Sequence, residues 1–277
     1  MRNNEDRFNS PSPEMTPQAQ LSSLNYVVPT ELVELPSKGL FYSPDHPLYE
    51  KEFVEIKHMT AKEEDILTSI SLIEKGVVMD YLIQSLLMDK RINPKSLLPG
   101  DQSAILLNAR INAYGEKYSF EYNCSSCNGK NVVDFDLSGV KNKELPANYE
   151  VDNGLVSLTL PKSNFLIKLR QLDNNAFAIM EKEQKQSNHL LPGTSTGSLT
   201  LFLLHAIDSI NGEKNDRGLK FRNVIENLTS PDVRILKDVY TKCKPDVDMQ
   251  IYLECRHCGN AKEETVPITA KFFWPDP

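Results

Sequence analysis

Two Cys-x-x-Cys turns, Cys124-Ser125-Ser126-Cys127 and Cys255-Arg256-His257-Cys258, carry the side chains whose type and spacing suit metal chemistry. Two intervening residues let both sulfurs of one turn face a single ion, and a tetrahedral structural Zn²⁺ site takes four such ligands. Each turn therefore supplies half a site. A lone Cys-x-x-Cys also fits a redox pair, but a second one in the same local setting makes Zn²⁺ held by Cys124, Cys127, Cys255 and Cys258 the better reading. The alternatives are four reduced cysteines in separate cores, or a disulfide within either turn. A thioredoxin-like pair would open a helix in a βαβ unit, whereas both turns here lie between strand-like stretches. Four thiolates also leave no open coordination position, so the expected metal role is structural, and its removal should loosen the protein.

The elements that position these cysteines are legible in the pattern around them. Tyr118, Phe120, Tyr122 and Cys124 fall on alternate positions, as do Met249, Ile251, Leu253 and Cys255; a period of two marks one face of a strand. Turn residues follow each cysteine pair, Asn128-Gly129 and Gly259-Asn260, and then a second alternation begins that includes Phe135 and Leu137, or Val266 and Ile268. Each copy reads as strand, knuckle, strand.

Upstream of each hairpin the sequence predicts a helix. One follows Pro99-Gly100-Asp101 and ends near Tyr114-Gly115; the other starts at Ser230-Pro231-Asp232 and places Leu236, Val239, Tyr240 and Cys243 on one face. The fifth cysteine, Cys243, is thus a core residue. Asp101 precedes Cys124 by 23 positions and Asp232 precedes Cys255 by the same 23, so an offset of 131 also pairs Cys127 with Cys258. Farther upstream, Phe165 to Leu169 matches Phe53 to Lys57 as a strand, followed by helices at about 172–186 and 198–209. These correspondences predict an α+β fold built by internal duplication of a helix plus β-hairpin unit, the two copies joined by a four-cysteine, zinc-ribbon-like knuckle pair. Similar patterning without common origin is the competing explanation. The expected divisions are a flexible tail at 1–28, a first half at 29–141 and a second half at 142–277, with turn residues from Asn142 to Gly154 at the junction.

Several local readings complete the chain. Thr60-Ala61-Lys62-Glu63 has the form of a capping box opening a helix that carries Ile66, Leu67, Ile70 and Ile73 and stops at Gly76. A mostly apolar helix follows at about 77–89. Glu63, Glu64 and Asp65 then read as a solvated first turn that complements the helix dipole rather than as an acid cluster. Leu35 to Tyr42 reads as a structured loop, and its Ser37-Lys38-Gly39 lacks the phosphate-loop pattern. Residues 192–197 and 211–218 are polar and read as exposed loops. The aromatic run Phe272-Phe273-Trp274 cannot all face one side of a strand; it packs either on its own domain or against a partner.

The composition narrows the functional classes. A net charge of −7 over 277 residues and a pI near 5.4 argue against a general nucleic-acid binder, which needs a basic surface. No apolar run approaches a membrane span, and Asn3, Asn4, Glu5 and Asp6 stand where a signal peptide would need apolar residues. Cysteines in metal-type spacing fit a reducing cytoplasm. No nucleophile elbow, His-Glu-x-x-His, P-loop or dinucleotide fingerprint occurs, so no catalytic residue is assigned. His205 and Asp208 stand three apart on an expected apolar helix, and the ring of His257 is expected to turn away from an ion held by its neighbours.

Leu35-Pro36-Ser37-Lys38-Gly39-Leu40-Phe41-Tyr42, then Met59 to Leu67, then Arg110 to Tyr118 leading into Cys124 and Cys127, form a succession that resembles the baseplate hub assembly proteins of tailed bacteriophages such as T4. The resemblance is clear over about 30–137 and looser beyond. It implies a virally encoded, non-enzymatic factor that builds the hub of a contractile-tail baseplate in the host cytoplasm and either leaves or stays in the virion. The partners it implies are other tail and baseplate hub proteins, with no small-molecule substrate and no membrane. The main competing reading is a zinc-ribbon module that binds nucleic acid, against which count the few basic residues at the knuckles: Lys130, Arg256 and Lys262. A zinc enzyme with its site between the halves is a third.

Overall fold

The computed structural model describes residues 27–190, 197–268 and 270–273. The tail expected at 1–28 therefore falls outside them except for its last two residues, as do most of the polar stretch at 192–197 and Trp274.

The chain opens with an antiparallel hairpin, β1 (Thr30–Glu34) against β2 (Phe53–Lys57). Val33, Leu35, Val54 and Ile56 enter the core from it. The intervening loop turns sharply at Leu35-Pro36-Ser37-Lys38-Gly39, with Gly39 at φ +71 and so tightly enclosed that a Cβ there would lie 2.3 Å from the Lys51 nitrogen. Helix α1 (Ala61–Thr68) starts with the expected capping box. It does not run to Gly76. Ser69 adopts an extended backbone, and a separate turn of helix, α2 (Ile70–Glu74), follows, leaving Ile70 largely exposed. Helix α3 (Val78–Leu86) buries Val78, Leu82, Ile83 and Leu86. Leu87 then forms a bridge with Ile56 of β2. Helix α4 (Pro99–Tyr114) packs against β1 and α3, and β3 (Lys117–Asn123) and β4 (Lys130–Asp136) form the first cysteine hairpin.

Past residue 142 the chain forms a larger sheet, further helices and the second cysteine hairpin. A five-stranded antiparallel sheet runs β5 (Val151–Asp152), β6 (Leu155–Thr159), β7 (Leu166–Arg170), β8 (Ile207–Ile210), β9 (Glu213–Lys214). Between β6 and β7 lies Leu160-Pro161-Lys162-Ser163-Asn164, where Asn164 has φ +54. Ile167 and Leu169 of β7 are buried as Val54 and Ile56 are on β2. Helices α5 (Asn174–Leu190) and α6 (Ser198–Ala206) follow. The helix expected through 209 stops at Ala206, because 207–210 joins the sheet as β8, with Ile207 paired to Leu169. Asp208 is consequently on a strand and not on the helix of His205. Residues 211–218 include the tight turn Asn211-Gly212 and β9 instead of being loop throughout. Helix α7 (Leu219–Glu226), helix α8 (Ser230–Lys242) and the second cysteine hairpin, β10 (Gln250–Glu254) with β11 (Ala261–Thr265), complete the half.

Two buried carboxylates fix the loops of the strand hairpins to the long helices. Asp101, in the first turn of α4, accepts hydrogen bonds from the Ser37 N–H (3.0 Å), the Ser37 hydroxyl (2.6 Å) and the Tyr42 hydroxyl (2.7 Å). Asp232, in the first turn of α8, accepts the N–H groups of Lys162 and Ser163, both at 3.0 Å. Asp101 thus satisfies a buried turn, and Asp232 a mostly exposed one, that backbone partners alone would leave open.

The main core runs from Val33 to Phe273, with a small separate cluster at Leu172, Ala206 and Tyr240. The stretch expected as a junction is itself docked: Lys143 N–H donates to Asp246 O and Asp248 N–H to Lys141 O, each at 2.8 Å, with Asn142 bridged to Val247. Gly100 packs so closely there that a Cβ would sit 2.1 Å from the Pro245 oxygen. Phe272 and Phe273 are fully buried in their own chain. The Arg110 guanidinium, itself buried, donates from Nε to Phe272 O at 2.9 Å and lies over the rings of Tyr114, Tyr118 and Phe272. Cys243 is buried in the same core, which pushes its thiol up to about 11.

Candidate metal centre

Each cysteine hairpin delivers its sulfurs by the same backbone geometry. After β3, Cys124 N–H donates to Gly129 O and Asn128 N–H to Cys124 O; after β10, Cys255 N–H donates to Asn260 O and Gly259 N–H to Cys255 O. The residue after each second cysteine must take a left-handed conformation to close this turn. Asn128 (φ +55) and Gly259 (φ +69) do so, and Asn and Gly are the residue types that tolerate it best. The third residue of each turn then points its N–H at the first sulfur: Ser126 to Cys124 and His257 to Cys255, both at 3.4 Å.

The two turns meet. All four Sγ atoms lie within 4.8 Å of one another, with Cys124 to Cys258 at 3.7 Å and Cys127 to Cys255 at 3.6 Å. A tetrahedron of sulfurs at the usual zinc–thiolate bond length has edges of roughly 3.8 Å, so the donor set fits an ion of that size. Cys124 and Cys255 are buried, Cys127 and Cys258 exposed.

The surroundings differ between the two turns. Asn131, buried at the start of β4, donates from Nδ2 to Gly129 O (2.9 Å) and to Cys255 Sγ (3.5 Å) and accepts the Arg256 N–H (2.9 Å). A single amide therefore stitches one knuckle to the other. The His257 ring turns from the sulfurs, as its position between two cysteines implied; Nε2 lies 3.0 Å from Lys130 O. Sequence reasoning missed Asn131, although its inward position on the alternating face of β4 was a usable signal.

Four clustered thiols compete for ionisation. Burial raises Cys255, but the His257 N–H, the Asn131 amide and the Cys258 N–H bring it down to about 6. Cys258 is lowered by the Asn260 N–H yet pushed up to about 12 by Cys127 and its other sulfur neighbours. A bound cation removes that mutual penalty, which is why such a cluster suits a metal.

A family profile described as T4 bacteriophage base plate protein matches residues 31–274. The chain belongs to that family. The match takes in both cysteine hairpins and the loop and helix signature that precedes the first, so the base plate protein family pattern extends well beyond the 30–137 stretch where the sequence resemblance was clear. No curated protein and no solved structure matches the chain significantly. Among the described residues, no helix of this base plate family member is long and apolar enough to cross a membrane.

Proposed function

We propose that this protein is a zinc-stabilised, non-enzymatic component or assembly factor of a tailed-phage baseplate hub. The observation that carries the zinc part is the convergence of Cys124, Cys127, Cys255 and Cys258, two from each half, within 4.8 Å. Zn²⁺ suits an all-thiolate tetrahedral set, needs no redox partner and is saturated by four sulfurs, which favours a structural over a catalytic role. The knuckles resemble a zinc ribbon, the two hairpins lying against each other across the ligand set.

The scaffold reads as a duplication with halves at about 29–141 and 142–277. Support comes from features that recur in the same order along the chain, at differing offsets. They are the Leu-Pro turns after β1 and β6, the buried aspartates Asp101 and Asp232 that accept their N–H groups, and the pairing of Ile56 with Leu87 and of Leu169 with Ile207. The knuckles add Asn128 and Gly259. On this reading β5, β9 and α7 have no counterpart in the first half.

The partners are other proteins of the phage tail, and the site of action is the assembling tail in the host cytoplasm or the finished virion. A nucleic-acid role is disfavoured at the knuckles, where Lys130 pairs with Glu121 and Lys262 with Glu264. Elemental analysis of purified protein should give one zinc per chain; protein that holds no metal under non-chelating conditions ends the zinc reading. Isolation of the tagged protein from infected cells should recover other baseplate proteins. Recovery of ribosomes, polymerase or nucleic acid in their place ends the hub reading.

A further inference from the structure

A polar cleft of about 560 Å³ opens between the two halves, bordered by the end of the 35–42 loop and containing none of the four cysteines. Its first-half wall includes Tyr42 and His46. The second-half wall brings Arg170 from the end of β7 together with Lys214 and Arg217 from β9 and the loop that follows it. Two carboxylates face these three cations, Asp173 and Asp208. The cleft is thus more positive than its protein, whose net charge is −7.

The acids are already engaged. Asp208 is ion-paired with one terminal nitrogen of Arg170, and Asp173 accepts the Ala176 N–H at 2.7 Å as the cap of α5. His46 adds no charge: its Nδ1 accepts the Leu48 N–H, so Nε2 carries the proton toward Ser96 Oγ, and burial lowers its pKa. Lys214 and Arg217 have no acceptor for their side chains among the described residues. Arg217 also holds a left-handed backbone (φ +59) that arginine rarely adopts, kept in place by its N–H on Asn215 Oδ1 at 2.8 Å.

Two polar atoms on the same lining are buried without a partner, Arg170 Nε and His205 Nδ1. The His205 side chain is only 1% exposed, and its Nε2 is taken by Glu183 at 3.1 Å. Buried polar atoms are ordinarily satisfied, so the Arg170 Nε–H is a donor left over for a ligand, whereas His205, with Nε2 directed at Glu183, offers only an acceptor at Nδ1.

We propose that this cleft binds a small phosphate-bearing ligand. Cations reach it from separate elements, and a phosphate offers more acceptor oxygens, in more directions, than a planar carboxylate; arginine is well suited to it. The volume lies in the range of small-molecule sites and exceeds what phosphate alone would fill. This inference is independent of the zinc and hub readings and survives the failure of either.

The test is calorimetric titration of the full-length protein with inorganic phosphate, and separately with acetate, at fixed ionic strength. Phosphate should bind saturably, one per chain, and more tightly than acetate. The exposed double variant Lys214→Ala/Arg217→Ala should weaken phosphate binding by about tenfold or more, while Lys75→Ala/Lys237→Ala, which removes the same charge elsewhere, should leave it unchanged. Absence of saturable phosphate binding overturns the proposal. So does acetate binding as tightly as phosphate, or equal weakening by both variants.

Discussion

Glu63 shows how far a residue's role can lie from the one its sequence context suggests. As part of a Glu-Glu-Asp run in a first helical turn it reads as solvated, yet its side chain is fully buried. Burial raises its pKa, but Lys57 Nζ at 2.6 Å, the Ser85 hydroxyl and the Thr60 hydroxyl and N–H overcome that and bring it down to about 2. The capping box was visible in Thr60-x-x-Glu63; the lysine and serine that bury it come from β2 and α3 and were not. A carboxylate with a depressed pKa contributes stability above its unfolded value, lost as pH falls through the folded one. Glu63→Gln should therefore cost about 2–3 kcal/mol at neutral pH, and the gap from the parent protein in urea melts should close between about pH 5 and pH 2. At the metal centre, replacing any one of Cys124, Cys127, Cys255 or Cys258 with Ser should lower bound zinc and the melting temperature together. Cys243→Ala should lower stability by about 1–2 kcal/mol with zinc content unchanged, as elemental analysis of the same samples would show.

Among the elements, those set by local chemistry were legible and those set by distant contacts were not. The cysteine hairpins followed from period-two alternation and turn residues, and α4 and α8 from Pro, Asp and apolar spacing. The division of 61–74 into two helices was not legible, because Ile66, Leu67, Ile70 and Ile73 keep a helical period through the break at Ser69. Strand β8 was missed for a related reason: Ile207-Asp208-Ser209-Ile210 continues an apolar helix in sequence, and only pairing with β7 makes it a strand. The Leu-Pro turns carry the same limitation, since their anchors, Asp101 and Asp232, are 64 and 70 residues away. Asp232→Asn should destabilise by about 1–3 kcal/mol, since one amide oxygen must replace two acceptor oxygens. Asp101→Asn should cost at least as much because three donors converge there; thermal melts of both variants would check the order.

Across the whole molecule, residues 29–141 meet 142–277 at the four-sulfur cluster, through backbone bonds between 141–143 and 246–248, and in a shared core. Gly100 tests the second contact directly, because any side chain there collides with the Pro245 backbone. Gly100→Ala should cost about 2–4 kcal/mol. Because none of the four cysteines is among the atoms it meets, zinc content should stay near that of the parent. Chelation should act in the complementary way: hydrogen exchange should accelerate in the two cysteine hairpins first, with the α4 core slowest to respond.

The sulfur pairs have a consequence for the order of events on the ribosome. Cys127 and Cys255 are 128 residues apart in the chain, so the first knuckle leaves the exit tunnel with half a ligand set and must wait for most of the second half to be translated. Prematurely terminated products lack the completing pair.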